Sequence, residues 1–434
     1  MNSTQKETYI DALDPDIFTY IQYGDYTDRY PTHTVHGFPQ VFYEEMRRAS
    51  AGLFHIFCKA AQVLQHAPDD LARAMDLPRE LLSYLRIPNA FGLPTWLARF
   101  DFVLDAKGRI RMVEINADTP CFLVESFYAN GVAAAYDGRR DPNEGTRAQL
   151  RDFLTRIHNR LAAPIADLRR QTLTHRPFVF SCFDDYPEDL ATTLFLMRTM
   201  QEGVPHGDVR FLSFYEMEID EQGIPLADSR YAAALYRLHP MEILIDERTP
   251  DGEPLGAMFL DLYKEGAFAL VNPPEAILLQ NKSFMALVYA LARTEQFLTP
   301  AECALVERYL VPSYFEEDFA ALKDGTYIRK EIWGREGKHV RLVEKHGGWT
   351  TTVHEKQPDN ADEIICRPSR AAMYQDFIRQ PRFVHTVDSG TVEGYLTLSC
   401  FMLFDTPSAV GARFSPAAIA GTEAYFLPLV VEES

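Results

Sequence analysis

The sequence predicts a mixed α+β fold with a helical layer at its N-terminal end, and three observations carry this. The stretch FYEEMRRASAGLFHIFCKAAQVLQHA, near the start of residues 39–86, repeats its apolar residues at helical spacing. From Arg176 onward, strand-like apolar runs alternate with helical ones, the order expected of an α/β unit with a parallel component. Residues 99–116 and 327–345 each read as a β-hairpin, two apolar-rich segments around a turn.

In chain order, residues 39–86 are expected to be helical, with PRELLSYL as a second, shorter helix. The hairpin RFDFVLDAKGRIRMVEIN follows. If Asp105, Ala106, Lys107 and Gly108 form its loop, Leu104 faces Arg109, Asp101 pairs with Met112, and Arg99 with Glu114. Arg99, Asp101, Glu114 and Asn116 then share one face, while Phe100, Phe102, Val113 and Ile115 take the other. After an ADTP loop come a helix over ESFYANGVAAAYDG and another over residues 145–170. The α/β part is the strand PFVFSCF, the helix EDLATTLFLMRTMQEG, and the strands VRFLSFYEM and YAAALYRLHP. PEAILLQNKSFMALVYALART gives one or two helices. YIRKEIW and HVRLVEK form the second hairpin around GREGK, and GYLTLSCFML and TEAYFLPLVV are again sheet-like. No internal repeat or low-complexity linker interrupts the chain.

At 434 residues the chain can bury a large core and divide into two or three subdomains. Its formal charge of −19 argues against a nucleic-acid surface or an anionic membrane as main partner, so any phosphate site must be local. The aromatic residues are not interleaved with basic runs, as a nucleic-acid platform would need. No apolar run is long enough to span a bilayer, and MNSTQKETYIDALDPDIF lacks the basic and apolar segments of a signal peptide, so a cytoplasmic location is expected. Cys58, Cys121, Cys182, Cys303, Cys366 and Cys400 are scattered without a CxxC, as in reduced cytosolic proteins; neither zinc nor a disulfide framework is expected.

Two constellations carry chemistry. On the first hairpin, two carboxylates and an amide oxygen are hard ligands that suit Mg²⁺ shared with substrate phosphates. Arg99 beside them could hold an oxyanion or a transferring phosphoryl group. The competing reading is a solvated hairpin face with a cross-strand Arg99–Glu114 ion pair. In the second, YIRKEIWGREGKHVRLVE, Lys330 stands near the end of a strand before a glycine-flanked turn. Such a turn can lay backbone N–H groups over polyphosphate while the lysine reaches a phosphate, although it can equally be a plain turn. It is no Walker motif, because GxxxxGK[ST] is absent.

RFDF followed by VEINADTP resembles the RFDF…EYNADTP signature of the glutathionylspermidine synthase family. Further segments resemble that family in the same order: SCFDDYPEDLATT, ALYRLHPMEIL, ILLQNKSFMALVY, YIRKEIWGREGKHV, AAMYQDF, and VGARFSPAAI followed by YFLPLV. The resemblance runs from about residue 40 to the C-terminus. It implies an ATP-grasp-like fold with an ATP cleft between two α+β subdomains. Residues 1–95 would be a helical region packing on the core, 96–275 the substrate and metal-binding part, and 276–434 the nucleotide-binding part.

The resemblance also implies roles. Asp101, Glu114 and Asn116 would be Mg²⁺ ligands, and Arg99 and Arg413 the cations stabilising the reacting phosphoryl and tetrahedral species. Lys282 and Lys330 would hold ATP phosphates under a covering loop of Gly334, Arg335, Glu336 and Gly337, with Gln375 and Asp376 near the adenine. Thr119, Cys121, Glu188 and Asp189 match positions around the thiol-peptide substrate. The implied activity is ATP-dependent joining of a small-molecule acid to an amine through an acyl phosphate.

Departures from the family pattern put the substrates in question. Glu331 follows Lys330 where proline is usual, Asp376 replaces a glutamate, and LHPME lacks the tryptophan of the L-Y-P-W-E stretch. No room for the family's Cys-His amidase domain is expected before residue 40. Rival readings remain a same-chemistry ligase for an amino acid, peptide or natural-product acid, a non-catalytic nucleotide-binding or scaffold protein, and a Mg²⁺-dependent hydrolase or kinase. A homodimer is expected only because two-fold oligomers are common. His239, His385 and Cys182 read as core residues, and Cys121 shows no partner that would make it a nucleophile.

Overall fold

The computed structural model describes residues 8–22, 27–66, 68–162, 165–167, 172–174, 176–355, 366–421 and 423–433. The first seven residues of the N-terminal stretch lie outside this range, as do residues 163–164 and 168–170 of the helix expected over 145–170. Among the described residues no helix is long and apolar enough to cross a membrane. All six cysteines are free.

The helical layer is built on Gln40–Gln65, whose Tyr43, Met46, Leu53, Phe54, Phe57, Ala61 and Leu64 form one buried stripe. That stripe lies on the apolar face of the first hairpin. The Phe57 ring sits 5.8 Å from Phe100 and 5.5 Å from Phe284, and Phe54 meets Phe100 edge-on at 6.5 Å. Burying each such ring contributes about 1.5–3 kcal/mol. The helix Asp69–Ala74 follows, but PRELLSYL forms only a 3-10 turn, Arg79–Leu81, and irregular turns rather than the expected second helix. Pro78 presets the backbone entering that turn, and a few residues without a long apolar stripe cannot extend it.

The hairpin strands Leu97–Leu104 and Ile110–Asn116 occupy one side of a six-stranded antiparallel sheet. Gly390–Leu403, Thr406–Ser415 and Tyr425–Phe426 continue it outward, and Phe383–Val387 pairs with Gly390–Leu403. The register differs from the expected one. The connection runs over five residues, so Leu104 pairs with Ile110 instead of Arg109. A bulge between Asp101 and Phe102 then shifts the pairing once more, giving Asp101 opposite Glu114 and Arg99 opposite Asn116. The two one-residue displacements leave the faces as expected, with all four polar residues together.

The α/β part is a four-stranded, wholly parallel sheet in the order Val209–Phe211, Phe178–Ser181, Ala234–Arg237, Ala269–Val271. VRFLSFYEM contributes only three strand residues before the 3-10 turn Phe214–Glu216. The helix expected over residues 145–170 is Thr146–Leu161, and short strands Ile165–Asp167 and Thr172–Thr174 follow. Pro164 lacks the N–H that a continuing helix needs and disfavours helical backbone before it. Asn272, just beyond the last parallel strand, clasps this sheet to the hairpin. Its Nδ2 donates to the carbonyls of Leu97 at 2.7 Å, Ala117 at 3.0 Å and Asp118 at 2.9 Å, and its Oδ1 accepts from the amides of Trp96 and Leu97, both at 2.9 Å. Asn272→Ala leaves these buried groups unpaired and is expected to destabilise the protein by about 3 kcal/mol; the urea midpoint measures it.

The second hairpin forms as expected from Gly325–Glu331 and Arg341–His346. It belongs to a five-stranded antiparallel sheet ordered Ser313–Phe315, Ala372–Asp376, Gly325–Glu331, Arg341–His346, Trp349–Glu355. The last strand was not apparent in the sequence, since its exposed WTTTVHE offers no apolar alternation.

Candidate active site

Asp101 is the hub of the first constellation. The Arg99 guanidinium grips it with two parallel bonds, Nε to Oδ1 at 2.8 Å and Nη2 to Oδ2 at 2.9 Å. Arg413 Nη2 donates to Oδ2 at 2.9 Å, Asn116 Nδ2 to Oδ2 at 3.3 Å and Ser399 Oγ to Oδ1 at 2.8 Å. With 7% and 2% exposure, Arg99 and Asp101 form a buried pair along one strand. The expected cross-strand Arg99–Glu114 ion pair is replaced by this one, because the bulge sets Glu114 opposite Asp101. Arg99 also reaches the Cys121 carbonyl with Nη1 at 2.8 Å. Arg413 stands over the Phe122 ring, and its buried Nε has no hydrogen-bond partner among the described residues. Close approach of the Arg413 strand to this loop requires Gly411, whose Cβ would come within 2.6 Å of Phe122 and Ser126.

Glu114 joins the two hairpins through lysines. Lys282 Nζ donates to Glu114 Oε1 at 2.7 Å and to the Gly334 carbonyl at 2.8 Å. Lys330 Nζ donates to the Val113 carbonyl at 3.1 Å. Burial alone would raise the Glu114 carboxyl, but Lys282, Lys330 and Arg99 outweigh it and hold it down at about 2. Burial, only partly offset by Glu114, together with repulsion from Lys282 pushes Lys330 down to about 8. Glu114 binds its proton more weakly when folded than when unfolded. Its contribution is therefore present above the ordinary glutamate value of 4.5 and is lost as the pH falls toward about 2. Glu114→Gln is expected to flatten the fall of the urea midpoint between pH 5 and pH 3.

The rest of the second constellation divides. In the covering turn, Arg335 Nη1 reaches the buried Glu242 Oε1 at 3.2 Å, and Glu336 and Gly337 adopt positive φ of 51° and 75°. Gln375 lies opposite Ile328, two residues from Lys330 on the same face, and donates to Ser313 Oγ at 3.0 Å. Burial raises the adjacent Asp376 carboxyl against the pull of Tyr314 and Arg111.

The ADTP loop is fixed by residues that the sequence did not single out. Asp118, 2% exposed, accepts both terminal nitrogens of the 1%-exposed Arg237, Nη1 at 3.0 Å, and the Met241 amide at 2.8 Å. Gln280 Oε1 accepts the amides of Ala117 at 2.8 Å and Asp118 at 3.2 Å. Asp118, Arg237 and Gln280 stood inside matched segments and could have been found there; Asn272 and Ser399 gave no local signal. Thr119 is buried in this loop, and Cys121 Sγ lies 3.9 Å from Asp189 Oδ1. Glu188 and Asp189 both lie in the first turn of the helix Pro187–Gly203. Burial, Asp189 and Glu188 raise the Cys121 thiol far above its ordinary range, so it stays protonated and is no nucleophile.

Among the described residues no three His, Cys, Asp or Glu side chains converge as a metal site. The hairpin nevertheless offers hard oxygen donors suited to magnesium: one Glu114 oxygen and the Asn116 amide oxygen are not engaged by a described residue, whereas both Asp101 oxygens are held by cations and hydroxyl. The donor set fits, with Asp101 the most encumbered member.

A family model described as glutathionylspermidine synthase preATP-grasp matches residues 3–432. A Haemophilus influenzae protein named as a candidate acid–amine ligase is 22% identical over 346 residues, which cover 77% of this chain and 74% of the relative. Among solved structures, a glutathione synthetase-like effector from Globodera pallida in apo form aligns over 93% of this chain and 90% of its own. Its TM-score is 0.53 at 11% sequence identity, a likeness of fold alone.

Proposed function

The chain belongs to the glutathionylspermidine synthase family, and from that membership we propose that it is an ATP-dependent acid–amine ligase that activates a carboxylate as an acyl phosphate. The observation that carries the reading is the meeting of the two hairpins. Lys282 and Lys330 stand together over the polar hairpin face, and the buried Arg413 Nε beside it has no partner among the described residues. Arg99, Arg413, Lys282 and Lys330 gather around only two carboxylates, Asp101 and Glu114, an excess of positive charge that an arriving polyphosphate and carboxylate would satisfy.

In this reading Lys282 and Lys330 bind the ATP phosphates, Gly334, Arg335, Glu336 and Gly337 cover them and exclude water, and Gln375 and Asp376 border the adenine. Glu114, Asn116 and Asp101 would hold Mg²⁺, which when bound neutralises charge on the phosphate oxygens. Arg413 steadies the carboxylate and the oxyanion that forms when the amine attacks, while Arg99 keeps Asp101 and the Cys121 loop in place. Thr119 and Cys121 line the acid substrate. The setting is the cytoplasm, where ATP is at hand.

The test is ADP release with Mg-ATP over a matrix of acids, including glutathione, short peptides and amino acids, against amines, including spermidine and amino acids, with mass spectrometry of active wells. ADP that appears only when acid and amine are both present, with a product lighter than their sum by one water, is the expected result. A phosphorylated acceptor, or no ATP binding by calorimetry, would overturn it.

A further inference from the structure

Four arginines gather on a cavity outside the candidate active site. Arg73, Arg79, Arg367 and Arg370 line a space of about 330 Å³ together with only two acids, Asp76 and Glu80. They arrive from three places in the chain: Arg73 on the helix Asp69–Ala74, Arg79 on the 3-10 turn Arg79–Leu81, and Arg367 and Arg370 on the segment entering the strand Ala372–Asp376. In a chain of net charge −19, four guanidinium groups on one small cavity oppose the prevailing sign.

Half of this charge is uncommitted. Arg73 pairs with Asp70, and Arg367, whose side chain is 15% exposed, pairs with Asp246. The guanidinium groups of Arg79 and Arg370 have no ion pair or hydrogen bond among the described residues. The two lining acids do not fill the gap. Asp76 gives Oδ2 to the main-chain amide of Arg370 at 2.8 Å, and burial raises its carboxyl against the pull of Arg370 and Arg367. Glu80 is exposed to water. Converging guanidinium forks short of counter-charge are the chemistry that recognises a multiply charged oxyanion, through paired N–H donors to its oxygens.

The cavity also touches the covering turn by two routes. Trp333, 2% exposed and directly before Gly334, donates Nε1 to the Asp76 carbonyl at 3.1 Å and its amide to Ser369 Oγ at 2.9 Å. Both walls of the cavity therefore grip the entry to the turn. Arg367 Nη1 reaches the Glu242 carbonyl at 3.4 Å, and Glu242 Oε1 holds Arg335 of the turn at 3.2 Å.

We propose that this cavity is an effector site for a small, multiply charged oxyanion, a phosphate ester or a polycarboxylate, and that filling it braces the covering turn. Arg79 and Arg370 supply the bonds that the anion completes, and Arg73 and Arg367 add charge. An anion that fixes Asp76 and the segment around Ser369 removes freedom that nucleotide binding would otherwise have to remove, so each ligand tightens the other to the same degree. The coupling rests on the ligase reading, which puts ATP under the turn; the anion site does not.

The test is calorimetric titration of the full chain with citrate and with fructose 1,6-bisphosphate, acetate serving as the singly charged control, followed by ATP titration with and without the anion at equal free Mg²⁺. At least one multiply charged anion is expected to bind about tenfold or more tightly than acetate. Binding of citrate alone identifies a polycarboxylate site, and of the bisphosphate alone a phosphate-ester site. Arg79→Gln combined with Arg370→Gln, both at exposed positions with no partner to lose, should weaken that anion about tenfold or more, with the thermal midpoint unchanged and ATP affinity in the absence of anion within about twofold of the parent. In the parent protein the anion should lower the dissociation constant of ATP about threefold or more. No preference over acetate, or equal anion binding in the double variant, would overturn the site. Anion binding that leaves ATP affinity unchanged or weakens it would overturn the coupling. Anion binding intact with no ATP binding at all would overturn the ligase reading and leave the site standing.

Discussion

Arg413→Ala is expected to lower the rate of amide formation at saturating substrates about a hundredfold, the usual cost of one aligned donor to a developing oxyanion. The fold should survive the change. Asp101 loses a single partner and keeps both bonds from Arg99 as well as those from Asn116 and Ser399. Arg413 is also the less committed of the two arginines, with one nitrogen on Asp101 and its Nε unpartnered among the described residues, whereas Arg99 spends three nitrogens on Asp101 and the Cys121 carbonyl. Arg413→Lys keeps the charge but not the planar fork and should recover only part of the rate. Turnover with the acid and amine found in the substrate matrix, alongside the thermal midpoint, measures both effects. Parent-like turnover in Arg413→Ala would remove this residue from the chemistry.

The largest loss of stability is expected from Arg237→Ala. Both nitrogens of its guanidinium that touch Asp118 are buried, and removing them leaves a carboxylate with only the Met241 amide in a site closed to water. Breaking one side of such a pair costs about 3–5 kcal/mol. Urea unfolding should show this as a lower midpoint with little change in slope. Because Asp118 anchors the loop that carries Thr119 and Cys121, the same variant should also raise KM for the acid more than it lowers kcat. A midpoint within experimental scatter of the parent would mean that the loop is held from elsewhere, by Asn272 and Gln280.

The polar face of the first hairpin was legible because alternation survives errors of register. The turn is one residue longer than its composition suggested, and the bulge at Asp101 adds another offset. Two such offsets restore the parity of side chains, so Arg99, Asp101, Glu114 and Asn116 meet even though their expected partners were wrong. With the longer turn and no bulge, Asp101 would face Val113 and the polar group would be split between two faces. Lys330 and the glycine turn were likewise visible as a local pattern. Their joining to Glu114 through Lys282 was not, since Lys282 stands 168 residues away along the chain from Glu114.

What the sequence concealed is the support behind the site. Ser399, 298 residues from the Asp101 it bonds, and Asn272, bonded to backbone groups of four residues, are ordinary polar residues in apolar runs. Their roles exist only once distant strands are adjacent.

The central claim is that the polar hairpin face and its cations activate a carboxylate by phosphorylation. Oxygen transfer from the acid tests it most directly. With the acid substrate labelled with ¹⁸O in both carboxylate oxygens, the released phosphate is expected to carry one ¹⁸O for each amide formed, because the acyl phosphate bridge keeps a carboxylate oxygen. Phosphate free of label, released in step with amide, would contradict the account.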